Sequence, residues 1–593
     1  MDRHWLFYAS ARERGDKSMI EEVRRAFETH PVIFQDHMVM GKKPHTATVA
    51  ALPFGSCGRE TASYYFLARY FDRIEDGEAE AILEEIAKLQ ITDETSGHYG
   101  CMRWYREEPY ILDTNGAFFV LLPVSLAFVL CENKMTEREK QIIRKVLCLA
   151  GHWFTKEGRG AMFYTNKVMS DGAMLALISH ITGQYGADST AFWERWNTYV
   201  NTRGYGWGEN ISSVYTVVML NAMNAALLVM EESPNRKQLK EKKEKLLDYI
   251  AFHGGKEFVP AIRSYNFSGG VNYGGAIRRA FDGGASYNSF WDMIATVLLA
   301  CTNTKRPKFE AAGPGMVRKE HAFDDTAAYT WMGKGIRLGS VSRFPVMPGC
   351  YGGLGWQSMP VSAMAEKEAV SYLRLRTIQK GEDRTHPADS DFSKAYLSHE
   401  LFDDTNRPSC TLRAAQDQNI VIAVRSIQHL ANHVEGILDE WCMPRSEREV
   451  ETLSVKDRLW YLIRYEDCAL ALTPLEGIAA SSGKREGLPC KISRQAGVTT
   501  ISTELYSGGE NMAVKAYLES AWIIVALDDS IVSSVEKESC AEYLSRITVE
   551  STQLAEYAVP RTETSLTRHI WCSDGVRRAE IFVDPCENPD ELP

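Results

Sequence analysis

The chain has 593 residues, a formal net charge of −11, 45% hydrophobic residues and 24% charged residues. This composition excludes a disordered, collagen-like or low-complexity protein, and the length predicts at least two large domains. The acidic balance argues against a general nucleic-acid binder and against a membrane-binding protein, because both rely on clustered basic surface. It remains compatible with a local cationic cleft that takes an anionic ligand.

The 13 cysteines are scattered along the chain without a CxxC pair. This pattern predicts free thiols in a reducing compartment. The N-terminal residues lack the apolar stretch of a signal peptide. The longest apolar run, residues 117–131, is shorter than a membrane span and contains Pro123, so we expect a buried helix there. The sequence therefore favours a cytoplasmic protein without a membrane partner.

The first half of the sequence predicts paired helices. Apolar residues recur three and four positions apart, which gives each segment one buried stripe. The predicted helices cover residues 18–30, 59–74, 78–89, 117–131, 137–154, 169–182, 192–202, 212–232, 237–253 and 287–299. Short connections make successive helices antiparallel hairpins, which can form an α/α toroid, either an incomplete or a complete helical barrel. An open superhelical array is the structural alternative.

The pattern changes near residue 310, after a linker rich in Pro, Gly and Ala at residues 305–315. The segments that follow are short and rich in Val, Ile, Leu, Tyr and Thr, which predicts an antiparallel β-sandwich. The predicted strands cover residues 335–343, 369–377, 409–415, 419–427, 459–465, 469–475, 498–504, 512–518, 522–527 and 580–583. The predicted fold is therefore multidomain α+β, with an α/α toroid at residues 1–310 and a β-sandwich at 311–593.

Three loops in the helical half carry polar groups at helix entrances. Asn115 and Asn166 each lead into an apolar helix, where an amide serves either as an N-cap or as a ligand contact. The third loop, residues 203–215, alternates glycines with aromatics before Glu209 and Asn210. Glycines let the backbone approach a ligand closely, the flat face of Trp207 suits a sugar ring, and an amide and a carboxylate grip hydroxyl groups. The alternative is a turn capped by Asn210.

A fourth loop, residues 263–275, contains tyrosine hydroxyls that can donate and accept protons. Its candidate site residues are Arg263, Tyr265, Asn272 and Tyr273; the alternative is a glycine-rich connector with buried tyrosines. The β half adds a Gly- and Trp-containing loop at residues 348–358, whose candidates for closing over the cleft are Trp356 and the preceding Arg343; the alternative is a wide hairpin with a core tryptophan. Together these loops have the make-up of a carbohydrate cleft.

Paired helices, the Gly-Tyr-Gly-Trp-Gly-Glu-Asn turn, the Tyr- and Asn-rich loop and a following β-sandwich resemble the heparinase II/III-like and related alginate- and hyaluronate-type polysaccharide lyases. The resemblance implies that Asn210, helped by Glu209, neutralises a uronate carboxylate. It also implies that Tyr265 protonates the departing O4, with Tyr273 as the competing choice. The base it implies is a histidine of the β-domain: His399, with His386, His429 and His433 as alternatives. Because a His-x-His-x-Asp strand motif is absent from the sequence, the base stays unassigned.

The predicted function is that of a carbon–oxygen lyase that cleaves an acidic poly- or oligosaccharide containing uronate by β-elimination. Neutralising the uronate carboxylate makes removal of the neighbouring proton feasible. The alternatives are a glycoside hydrolase, which needs two carboxylates such as Glu209 with Asp282 or Asp292, and a non-catalytic glycan-binding protein. No cofactor is expected; a structural metal at His386, Asp389 and Asp391 is an alternative whose spacing fits no standard site. Homo-oligomerisation is left open.

Overall fold

The computed structural model describes residues 17–583 outside a set of gaps. The gaps are residues 47, 161, 163, 203–210, 265, 267–268, 270–286, 303, 305–310, 324–325, 345, 347–357, 367, 380–381, 384–408, 430–434, 447, 496, 509–516 and 558–564.

The first half of the chain is helical, and each predicted helix overlaps an observed one. The observed helices are α1 (Lys17–Thr29), α2 (Gly58–Tyr70), α3 (Asp76–Lys88), α4 (Gly116–Cys131), α5 (Glu137–Glu157), α6 (Thr165–Thr182), α7 (Gly186–Thr202), α8 (Ser213–Val229), α9 (Pro234–Phe252) and α10 (Phe290–Cys301). Side-chain caps fix several starts, because a hydroxyl accepts from the otherwise unpaired first amides. These caps are Thr136 at α5, Ser212 at α8, Ser233 at α9 and Ser289 at α10.

The helices form two concentric rings. The even-numbered helices contact one another in order, α2 with α4, α4 with α6, α6 with α8 and α8 with α10, and α10 returns to α2. The odd-numbered helices pack on the outside of this ring. The predicted α/α toroid is confirmed, and its inner ring is closed.

Helix α4 shows why the inner ring is the apolar core. Within the described residues, Gly116–Lys134 is the stretch that is long and apolar enough to cross a membrane, but 78% of that window is buried inside the protein. It is apolar on all sides because neighbouring helices surround it on all sides.

The second half of the chain is dominated by strands, and a short hairpin precedes α2. The strands are β1 (Phe34–Gln35), β2 (Met38–Lys42), β3 (Phe54–Ser56), β4 (Val317–Phe323), β5 (Thr326–Met332), β6 (Ile336–Val341), β7 (Arg343–Phe344), β8 (Val361–Ala365), β9 (Ser371–Gln379), β10 (Glu382–Asp383), β11 (Ser409–Asp417), β12 (Ile420–His429), β13 (Gly436–Pro444), β14 (Val450–Val455), β15 (Arg458–Arg464), β16 (Cys468–Pro474), β17 (Glu476–Ile478), β18 (Arg485–Gly487), β19 (Cys490–Gln495), β20 (Val498–Ser507), β21 (Leu518–Asp528), β22 (Thr548–Tyr557), β23 (Ser565–Ser573) and β24 (Arg578–Val583). A further helix, α11 (Lys537–Leu544), follows β21.

Two antiparallel sheets form the predicted sandwich. The first has the order β19-β20-β13-β9-β8-β6-β5-β4, and the second has the order β14-β15-β16-β21-β12-β11-β7. Asp439 of β13 joins them: it accepts hydrogen bonds from Arg425 Nε of β12 at 2.8 Å and from Trp522 Nε1 of β21 at 3.0 Å. A third sheet, β22-β23-β24, packs against β11 and β12. Helix α10 ends at Cys301 and β4 begins at Val317, while the predicted boundary after residue 310 stays a prediction.

The chain after α9 joins the toroid to the first sheet, and we call residues 257–264 the junction segment. Its Ala261 pairs with Met359 just before β8, with Met359 N donating to Ala261 O at 2.7 Å. Gly339 of β6 lies directly against this segment: a Cβ there would meet Pro260 N at 2.4 Å. On the other side, Ile262 N donates to Ile211 O at 2.9 Å, two residues before α8 begins. The junction segment is thus held between the inner ring and the β-domain.

Candidate active site

The inner helices all begin at the same end of the toroid. Phe290 N, at the start of α10, donates to Glu60 in the first turn of α2 at 3.0 Å. The ring of Phe119 in α4 lies 4.8 Å from that of Trp291 in α10. Arg263 of the junction segment contacts the starts of both α6 and α8. Because helix N-termini carry partial positive charge and unpaired N–H groups, this end of the ring favours an anionic ligand.

Arg263 lies between two tyrosine rings at this end. Its guanidinium carbon is 4.4 Å from the ring centre of Tyr164, which precedes α6, and 4.7 Å from that of Tyr215 in α8. Arg263 Nη2 donates to Tyr164 Oη at 2.6 Å. A cationic donor to a phenol oxygen stabilises the phenolate form, so this pair can take up and return a proton.

The backbone of Arg263 is strained. Its φ of 56° is uncommon for a residue other than glycine. The strain is held in place from the β-domain, because Arg263 N donates to Ser358 Oγ at 3.0 Å. Such strain is found most often where the surrounding structure fixes a functional side chain.

Glu257 lies at the start of the junction segment and is fully buried. Its carboxylate accepts from Ser213 Oγ at 3.1 Å, from Phe258 N at 3.0 Å and from Asn266 Nδ2 at 3.0 Å. Burial raises the pKa of Glu257 to about 7, and these hydrogen bonds oppose the rise.

The two predicted amides at helix entrances have different surroundings. Asn115 directly precedes α4, and its backbone N donates to Asp113 Oδ1 at 2.9 Å, an arrangement typical of a helix entrance. Asn166 is buried in the first turn of α6, two residues after Tyr164. The next residue, Lys167, lies between two carboxylates, with Nζ at 2.8 Å from Asp171 and 3.0 Å from Glu157. The structure therefore places Asn166 beside the Arg263–Tyr164 pair along the chain.

A histidine pairs with a tyrosine on the α2 and α4 side of the same end. His45 Nδ1 is 3.0 Å from Tyr105 Oη, and its ring is 4.6 Å from that of Trp104. Burial and the neighbouring Arg59 lower the pKa of His45 to about 3, so its imidazole is neutral at physiological pH and is a weak base.

Several other predicted residues fall in known places or outside the described residues. Arg343 forms the short strand β7, which pairs with β11 in the second sheet. Asp292 caps α10, since Asn288 N donates to its carboxylate at 3.2 Å. Within the described ranges, the structure has no group of three or more His, Cys, Asp or Glu side chains able to hold a metal ion. The predicted residues outside the described part are Trp207, Glu209, Asn210, Tyr265, Asn272, Asp282, Tyr273, Trp356, His386, Asp389, Asp391, His399 and His433; the side chain of His429 is also outside it.

Comparison with solved structures gives matches over most of the chain. Heparinase III matches at 8% identity with a TM-score of 0.43, over 89% of this chain and 83% of that one. A chondroitin AC lyase mutant from Streptomyces coelicolor A3 matches at 10% identity with a TM-score of 0.42, over 94% of this chain and 84% of that one. These proteins are of the kind that the sequence resembles, while the fold assigned above rests on the helix and strand contacts of this chain. No family model matches the sequence, and no curated protein matches it significantly.

Sequence reasoning found Arg263 but missed its partners. Tyr164 lies in a loop that the sequence analysis considered, yet its partner is 99 positions away. Glu257 follows Gly254-Gly255-Lys256 as a single acidic residue with no motif around it. The signal that could have marked Tyr164 is its place two residues before Asn166, at the entrance of an apolar helix.

Proposed function

We propose that this protein is a polysaccharide lyase that cleaves a uronate-containing glycan by β-elimination at the end of the toroid where the junction segment lies. The observation that carries this proposal is the Arg263–Tyr164 pair: a buried cation donates to a phenol oxygen at 2.6 Å, beside the starts of α6 and α8.

The reaction needs three functions. The uronate carboxylate must be neutralised, the proton on C5 must be removed, and O4 must gain a proton as it leaves. The C5–H electrons form a C4=C5 double bond while the C4–O4 bond breaks, so no water is consumed. A positioned phenol can accept the first proton and donate the second, which typically contributes 10²–10⁴-fold in rate.

Tyr164 is our candidate for this phenol among the described residues, and Arg263 stabilises its ionised form. Asn210 remains the predicted carboxylate-neutralising amide, since it lies three positions before Ser213, the first residue of α8. Tyr265 remains the predicted donor to O4, two positions after Arg263. The helix N-termini at this end add to the attraction for the uronate.

The contacts of nearby carboxylates favour a lyase over a hydrolase. A glycosidase needs two carboxyl groups facing the scissile bond. Glu257 is sealed behind three donors, Asp171 is held by Lys167, and Asp292 caps a helix.

The test is incubation with a panel of acidic glycans, followed by ultraviolet absorbance and mass spectrometry of the products. Elimination gives an absorbing unsaturated uronate and a product lighter by one water than the hydrolysis product. Products that carry an added water and lack the absorbance would refute the proposal.

A further inference from the structure

Glu257 connects two separate parts of the candidate active site. Ser213, whose hydroxyl donates to it, is the first residue of α8 and lies 44 positions before it. Asn266, whose side-chain amide donates to it, lies 9 positions after it, just beyond the junction segment. The same carboxylate also accepts the backbone amide of Phe258. One side chain thus joins the start of α8, the beginning of the junction segment and the chain directly after it.

The chain on either side of these contacts carries the groups of the proposed site. Tyr215, two residues after Ser213, forms one face of the sandwich around Arg263. Arg263 lies three positions before Asn266, and the predicted Tyr265 is its direct neighbour. A shift of α8 relative to the junction segment would therefore move Tyr215 relative to Arg263, and with Arg263 the hydrogen bond to Tyr164.

Glu257 is unsuited to reacting with a sugar itself. It is fully buried, and both of its carboxylate oxygens accept from donors within the protein. Burial of a carboxyl group is costly, and a core position needs only an apolar side chain. An acceptor for donors on three separate pieces of chain accounts for an acid at this place.

We propose that Glu257 is a positioning residue for the elimination: its carboxylate fixes the start of α8 against the junction segment and so sets the geometry of the Tyr164–Arg263–Tyr215 group. This inference rests on the proposed function. Misplacement of reacting groups by about 1 Å can cost about 10²-fold in rate. Loss of the carboxylate is therefore expected to lower kcat more than it raises KM.

The experiment compares Glu257→Leu and Glu257→Gln with matched variants of a second buried acid. Glu139 is also fully buried and accepts from Tyr65 Oη at 2.7 Å and Arg69 Nε at 2.9 Å, in a network between α2 and α5. We expect E257L to lose about 10²-fold in kcat on the glycan that the wild type cleaves. E257Q should recover most of this loss, because its amide oxygen accepts from Ser213 while its NH₂ faces a turned Asn266 amide. E139L and E139Q should lower the melting temperature and leave kcat unchanged.

Hydrogen–deuterium exchange supplies a readout that does not depend on activity. E257L should exchange faster than the wild type at residues 211–216 and 258–264, and E139L should not. If E257L does not fold, Glu257→Asp gives the same comparison, since it withdraws the carboxylate by one methylene.

The two proposals fail in different ways. If the wild type eliminates no glycan, the proposed function is wrong, and the exchange comparison still decides whether Glu257 holds the two segments. If the wild type is active and E257L retains its kcat, or exchange at both segments is unchanged, the positioning role is wrong.

Discussion

Replacing Tyr164 by phenylalanine tests the proposed proton carrier. The change removes one hydroxyl and retains the ring that lies 4.4 Å from the Arg263 guanidinium. It deletes the hydrogen bond of 2.6 Å from Arg263 Nη2, and a bond to a charged group is worth about 1.5–3 kcal/mol. Stability should therefore fall by an amount in that range.

The loss of activity should be larger than this change in stability explains. If Tyr164 carries the proton, kcat of the folded variant falls by about 10²–10⁴-fold, or about 3–5 kcal/mol in the activation barrier. The assay is steady-state formation of the unsaturated product, measured well below the melting temperature of the variant.

Tyr185→Phe is the matched control. Tyr185 Oη also donates a hydrogen bond within the toroid, to Cys148 O at 2.9 Å, but it lies between α5 and the start of α7. Y185F should lose stability and retain kcat. A Y164F variant that is less stable yet keeps the wild-type kcat would refute the reasoning.

Three further variants test the fold and the buried charges. Gly339→Ala should unfold the domain junction at lower temperature, because its Cβ would lie 2.4 Å from Pro260 N, whereas Gly487→Ala, with nothing within 4 Å, should melt like the wild type in calorimetry. Glu257 has a pKa raised to about 7, so the folded state holds this proton more tightly than the unfolded state, and wild-type stability should fall as pH rises from about 5 to 8. Relative to E257Q, denaturant titrations should show a loss of roughly 2–3 kcal/mol over that range. Asp439→Leu leaves the buried Arg425 without its partner at 2.8 Å, so it should cost about 3–5 kcal/mol, read from urea midpoints.

The helices could be predicted from the sequence because each buries one stripe of residues on a regular period. Helix α5 illustrates this: the prediction and the structure both start at Glu137, where Thr136 and Glu139 form a capping box. The closed inner ring follows from contacts between helices distant in sequence, which periodicity does not encode.

The strands were harder to predict because many are buried on both faces. Every residue of β21, Leu518–Asp528, is buried, so the alternation that marks a strand is missing. The sequence analysis placed separate strands at 512–518 and 522–527, whereas the structure has one strand across Leu518–Asp528. It also missed β4 and β5, which follow directly on the predicted linker, and β13, which carries the buried Asp439.

The candidate site shows the same division. Arg263 and Asn166 stood out because they lie in loops rich in Gly, Asn and Tyr. Tyr164 and Glu257 gain their importance from partners elsewhere in the chain, at 99 and 44 positions, and no local pattern reports such pairing.

The most direct test of elimination at this site is cleavage of a uronate glycan in water enriched in oxygen-18. Because β-elimination breaks the C4–O4 bond without adding water, we expect products free of oxygen-18 apart from slow exchange at the reducing end, with an unsaturated uronate at the new non-reducing end. Incorporation of one oxygen-18 atom for every bond cleaved, with no unsaturated product, would show hydrolysis and contradict the account.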